Sequence, residues 1–162
     1  MRGEIVQLST SPGGVPKLPT DVAAVDELGF HGDGHTDKKH HGGPDRAVCL
    51  WAIERIEALQ AEGHPIFPGA AGENVTIRGI DWDAVVPGVR LRLGHEVVAE
   101  ITGYTTPCQK NMAWFAEGNF MRMSQKLHPG WSRTYARVLQ TGTLRPGDAV
   151  ELLEVTESTA AG

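Results

Sequence analysis

Short runs of alternating or wholly apolar residues, separated by glycine and proline, dominate the chain. Residues 4–8, "EIVQL", read as a strand and are followed by the turn-rich "STSPGGVPKLPT". "AVCLW" (47–51) is a short apolar run that leads into "AIERIEALQAEG". There Ile53, Ile56 and Leu59 recur at helical spacing, and Gly63 is placed to end the helix. "ENVTIRG" (73–79), "VRLRLG" (89–94) and "EVVAEITGY" (96–104) read as strands, with Gly94-His95 as a two-residue hairpin turn between the last two. "NMAWFAEG" (111–118) and "FMRMSQKL" (120–127) are read as short helices. "RTYARVLQTGTL" (133–144) and "AVELLEV" (149–155) are read as strands joined across "RPGD".

Six or seven strands, one clear helix and no βαβ alternation predict a mainly β protein with a few helices. The architecture expected is a closed or nearly closed β-barrel, with a two-sheet sandwich as the alternative. Twenty glycines and ten prolines agree with many tight turns. A chain of 162 residues suits one domain, expected over residues 1–155, with 156–162 as a disordered tail.

Charge and cysteine content narrow the function classes. A net charge of −5 argues against nucleic acid as a general partner, while leaving room for a local basic patch and a small anionic ligand. The first residues lack the apolar region of a signal peptide, and no apolar run approaches the ~20 residues of a membrane span. Two cysteines, Cys49 and Cys108, make no disulfide framework, so a cytoplasmic, membrane-free protein is expected.

The stretch "HGDGHTDKKHHGGPDRAVCLW" (31–51) holds four of the seven histidines. His31 and His35 have the spacing of a helical metal pair, but Gly32 and Gly34 disfavour a helix there. His40 and His41 are adjacent and would diverge on a strand. No second cluster of ligands accompanies them, and zinc is not expected. The stretch does combine Lys38, Lys39 and Arg46 with Gly42-Gly43, where backbone N–H groups can converge on an anion. A solvated loop that merely reverses the chain fits the same residues.

The cysteines differ in setting. Cys49 lies in an apolar run, where cysteine behaves as a small core residue. Cys108, in "GYTTPCQKNM", follows a proline at a strand end, beside Gln109 and Lys110. There a thiol has access to thiolate chemistry or soft-metal ligation. An ordinary, partly exposed cysteine fits equally.

Taken together and in order, "KKHHGGPDRAVCLW", "GAAGENVTIRG", "TTPCQK" and "WSRTYARVLQTGTLRPGDAV" resemble the MOSC domain family. These are domains related to the C-terminal part of molybdenum-cofactor sulfurase, also found as small bacterial proteins. The resemblance implies a β-barrel-like fold and a pocket for the molybdenum-pterin cofactor or a sulfur-bearing group, centred on Cys108. In that role Cys108 would be metal ligand and catalytic residue. The resemblance also gives importance to His41, Gly42, Gly43, Asp45 and Arg46, and it moves the 38–46 stretch from metal chelation towards cradling an anionic cofactor. Lys39, Lys110, Arg133 and Arg137 are the further cations expected to bind that cofactor, with Asn74 lining the pocket. Glu73 is expected to be structural, accepting backbone hydrogen bonds in a turn. Arg133 and Arg137, four apart, would share one face of a strand, as pocket residues or as surface ion pairs.

Val89 stands where many members carry an acidic residue. The N-terminal barrel of larger members, the pyridoxal-phosphate domain of the sulfurase and any iron–sulfur or flavin module are missing from the sequence. What the resemblance implies first is an oxidoreductase that reduces N-hydroxylated or similar N-oxygenated substrates, with electrons from a separate donor protein. A second reading is a sulfur carrier that holds a persulfide on Cys108, loaded by a sulfur donor such as a cysteine desulfurase. A third is a domain that binds a small anion without catalysis.

Overall fold

The computed structural model describes residues 2–34 and 43–153. Seven strands close on themselves in the order β1 (Arg2–Thr10), β11 (Ala149–Leu153), β7 (Arg90–Leu93), β8 (Val97–Tyr104), β9 (Thr134–Gln140), β5 (Val48–Ala52) and β6 (Val75–Arg78), which returns to β1. Strand β2 (Leu18–Thr20) extends this wall from β1. A small sheet of β10 (Gly142–Leu144), β3 (Ala23–Asp26) and β4 (Gly29–Phe30) packs beside β8 and β9.

Period-two alternation decides which side chains fill the barrel. Ile5 and Leu8 of β1 lie opposite Ile77 and Val75 of β6, and Val48 and Leu50 of β5 lie opposite Ala136 and Thr134 of β9. Leu91, Leu93, Ala99, Ile101, Val138 and Val150 complete the interior, and all are buried. Every residue of β5 is buried, because its outward face is covered as well. Trp51 on that face donates its indole N–H to the Trp131 carbonyl. Such double-sided burial explains the unbroken apolar run.

Several details depart from the sequence reading. A single βαβ unit is present: β5 runs through helix α1 (Ile53–Ala61) to β6, and β5 and β6 pair in parallel. In α1 the apolar residues Ile53, Ile56 and Leu59 are buried, and Gly63 follows at φ 101 with its N–H bonded to Gln60 O. The β7–β8 turn has three residues, 94–96, since Leu93 pairs with Val97. The short helices expected at 111–118 and 120–127 are 3₁₀ turns over Gln109–Trp114, Ala116–Gly118 and Phe120–Met123. Their N–H groups reach back three residues, as in Phe115 to Met112, and the positive φ of Glu117 and Gly118 prevents a continuous helix. The expected strand 133–144 divides into β9 and β10, which belong to different sheets. Strands β2, β3 and β4 escaped notice because they are two to four residues long and interleaved with glycine and proline. The expected tail at 156–162 lies outside the described residues, as do the last two positions of "AVELLEV". No helix among the described residues is long and apolar enough to cross a membrane.

Candidate functional site

Because Val48, Leu50 and Ala136 point into the barrel, Cys49 and its register partner Tyr135 point out of it. A pocket of ≈ 710 Å³, its open mouth included, lies on this outer face. Its walls come from segments far apart in sequence: Gly14 to Lys17, Gly34, Ala71 to Asn74, and Thr106 to Asn111. Four cations line it, Lys17, Arg46, Lys110 and Arg133, and no carboxylate does so among the described residues. In a protein of net charge −5 this is a local reversal of sign.

Two of the cations are buried and fixed. Lys17 forms an ion pair with Asp33, which stands behind the lining. Asn74 ties this pair to the barrel: its Nδ2 donates to Asp33 Oδ2 at 2.9 Å, and its Oδ1 accepts the Cys49 N–H at 3.0 Å. Arg133, at the entry to β9, donates Nη1 to the Ala71 carbonyl at 2.6 Å, while its buried Nε has no hydrogen-bond partner among the described residues. Asn111 donates to the same carbonyl at 3.1 Å. Arg46 is delivered by the Pro44–Arg46 turn, which Gly43 enters at φ 81, and its guanidinium lies 5.5 Å from the centre of the Tyr135 ring. At Gly72 (φ +106) a Cβ would come to 3.2 Å from Val15 Cγ1 and 3.9 Å from Arg133 Nη1, so a side chain there would intrude on the lining.

Burial sets the protonation of several groups. Cys49, fully enclosed, is pushed up to about 12 by desolvation and remains a thiol. Tyr135 is raised to about 12, chiefly by burial, and keeps its phenolic proton at neutral pH. Glu73 is also buried, and desolvation raises it to about 7. Cys108 is the more accessible cysteine, placed at the pocket where β8 gives way to the 3₁₀ turn.

Of the residues expected from sequence, Cys108, Arg46, Asn74, Lys110 and Arg133 converge on this pocket. Gly43 acts through the turn that carries Arg46. Lys39, His41 and Gly42 lie outside the described residues, as do His35 and His40. Arg137 is a correction. It shares a face with Arg133 but lies further along β9, on the barrel surface, 3.4 Å from Glu100 and 3.8 Å from Asp45. Asp45 is likewise exposed, and its carbonyl accepts the Thr102 hydroxyl. Glu73 is more deeply buried than a turn-capping role requires: neither carboxyl oxygen makes a hydrogen bond of good geometry, although the N–H groups of Gly69 and Glu73 partly favour the carboxylate. His31 pairs with Asp26 at 2.7 Å on the surface, and no metal-holding group of three or more ligands occurs among the described residues. Lys17, Asp33 and Tyr135 were missed. Only Tyr135 carried a signal, two residues from Arg133 on one strand.

A closed seven-strand barrel with a cation-lined, cysteine-bearing pocket on its wall defines the class of domain. The MOSC domain model matches residues 37–151, and the chain belongs to that family. It is 33% identical over 142 residues to YflK of Bacillus subtilis (strain 168), covering 86% of this chain and 63% of that protein. YiiM of Escherichia coli (strain K12) is 33% identical over 108 residues, 61% of this chain and 46% of that one. A protein named reductase from Gibberella moniliformis (strain M3125 / FGSC 7600) is 30% identical over 131 residues, 78% of this chain and 23% of its own length. The chain thus spans less than two thirds of each of these relatives. The crystal structure of YiiM from Escherichia coli superposes with a TM-score of 0.72 over 96% of this chain and 71% of that one, at 23% identity, which shows a common fold.

Proposed function

We propose that this pocket binds the molybdenum-pterin cofactor, with the Cys108 thiolate as metal ligand. The wider activity proposed is reduction of N-hydroxylated or similar N-oxygenated substrates, with electrons from a separate donor protein. The observation that carries this reading is the convergence of one accessible thiol and four cations on a single pocket. A thiolate is a soft, strongly donating metal ligand, and the guanidinium and ammonium groups suit a phosphate-bearing molecule. The residues present therefore fit the group, and the family and the reductase name of one relative support the reading.

The bound molybdenum centre would supply two-electron chemistry, in which an N-hydroxyl compound takes up two electrons and two protons and leaves as the amine and water. The protein's own residues do the rest. Arg46, Lys110, Arg133 and Lys17 hold the anionic part, and the Asp33–Asn74 bridge keeps Lys17 in place. Tyr135 retains its O–H at the pocket wall. Cys49 also borders the pocket but is buried within β5, so Cys108 is the accessible thiol.

Elemental analysis of protein from a cofactor-competent host tests the reading. Near-stoichiometric molybdenum in the wild type and its loss in Cys108→Ala is the expected result. Absence of molybdenum despite a proven cofactor supply overturns it. The same accessibility of Cys108 favours a second reading, a persulfide carrier. That reading requires Cys108 to gain the mass of one sulfur atom after incubation with a cysteine desulfurase, without metal.

A further inference from the structure

Glu73 is the group in this region that the proposed chemistry leaves unused. It sits between Gly72 and Asn74, both of which line the pocket, while its own side chain turns into the wall and is 0% exposed. It forms no ion pair among the described residues and neither carboxyl oxygen makes a hydrogen bond of good geometry, while the N–H groups of Gly69 and Glu73 favour its ionised form in part. The charges that act on it belong to the pocket itself. Arg133, clipped to Ala71 two residues earlier, acts from the start of β9, and Lys17 acts from the segment before β2. Cys49 feels Glu73 from β5 and remains a neutral thiol. Asp33 is already committed to Lys17 and Asn74.

We propose that Glu73 couples anion binding in this pocket to proton uptake: with the carboxyl neutral the cations bind an anion tightly, and with the carboxyl ionised part of their field is cancelled and affinity falls. The inference rests on reading the pocket as an anion site, though not on the identity of the anion. Its physical basis is a fully buried carboxyl, favoured only in part by the Gly69 and Glu73 N–H groups, in a low-dielectric wall where a charge acts on its neighbours with little screening. Burial holds the acid near neutrality, at about 7, so the exchange falls where it can matter. Linkage makes the effect reciprocal: an anion in the pocket holds the Glu73 proton more firmly, and the proton holds the anion by the same factor.

Sulfate is a suitable probe, because it keeps its charge across the range. Its dissociation constant is measured by NMR titration at constant ionic strength, near pH 6 and near pH 8, on wild type and Glu73→Gln. Wild type should bind roughly five- to tenfold more tightly at the lower pH, and the glutamine variant should bind with little pH dependence. A pH dependence that persists in Glu73→Gln overturns the proposal. Failure of sulfate to bind at either pH overturns the anion site itself. Should the variant not fold, the wild-type Glu73 carboxyl carbon can be followed directly. Its titration midpoint should move up when sulfate is added, and an unmoved midpoint under saturating sulfate overturns the coupling.

Discussion

Two regions of this barrel concentrate arginine, one around a tryptophan ring and the other around a cavity. Beside the 3₁₀ turns, Arg55 and Arg122 flank Trp131, with guanidinium carbons 5.0 and 4.0 Å from the ring centre. Arg122 grips Glu62 through two hydrogen bonds of 2.9 and 2.8 Å, and Arg55 reaches the Gly130 carbonyl and Asp83. Here each charge meets an opposite charge or an aromatic face. In the pocket, Lys17 is paired from behind with Asp33 and Arg46 lies over Tyr135, yet these two, Lys110 and Arg133 all border one cavity with no carboxylate in its lining among the described residues. One glutamate marks each region. Hydrogen bonding to Arg122 holds Glu62 below its usual value, whereas burial lifts Glu73 to about 7. Cations gathered round a ring and a carboxylate hold a structure together, and cations that border one cavity suit it to an anion.

The largest effect expected from this contrast is in stability against pH. Glu73 binds its proton more tightly folded than unfolded. Its contribution is therefore greatest below its unfolded value of 4.5 and declines as pH rises to about 7. At ~1.4 kcal/mol per pH unit the decline is about 3 kcal/mol, and urea unfolding of wild type against Glu73→Gln across that range measures it. Glu62 runs the other way. Its contribution is present above 4.5 and lost as pH falls through its lowered value, but the half-exposed pair with Arg122 should give only about 0.5 kcal/mol. Equal pH profiles for Glu62→Gln and Glu73→Gln would erase the distinction between the regions.

Trp131→Ala comes next. Removing a half-buried indole held between two guanidinium groups should cost about 2 kcal/mol in urea unfolding and leave sulfate affinity unchanged. Arg133→Met is its counterpart. The apolar stem is kept while the charge and the bond to Ala71 are lost, so sulfate affinity should fall roughly tenfold. A variant that lowered stability and affinity together in both regions would show that the clamp and the pocket are one unit.

The barrel was legible because its strands bury one face and expose the other, so period-two patterning reported directly on packing. Strand β5 was legible for another reason, its fully apolar run. The small strands β2 to β4 were not, because two to four residues are too few for alternation to stand out along the chain. The pocket was half legible. Cys108, Arg46, Asn74, Lys110 and Arg133 lie in motifs with chemistry on their surface. Lys17 and Asp33 are sixteen residues apart and meet only because the β1–β2 and β4 connections fold over the same wall. No pattern along the chain reports such a meeting. Glu73 lies inside a recognisable motif, but its complete burial is a property of the folded interior.

Arg137 shows most simply what spacing can and cannot say. The even separation from Arg133 places both on the outer face of β9. Four residues of strand, however, span about 13 Å, enough to leave one arginine at the pocket and the other over open surface. There Arg137 meets Glu100, which also accepts from Arg90, and the more distant Asp45. Exposed pairs of this kind contribute little, since solvent screens them and ordering long side chains costs entropy. Arg137→Ala should change stability by less than about 0.5 kcal/mol and leave sulfate affinity as in wild type. A loss of affinity matching that of Arg133→Met would mean that the field of the whole β9 face, and not the lining of the pocket, attracts the anion. Raising the salt concentration would then separate the two cases, because a contribution from open surface fades within a Debye length and a buried one persists.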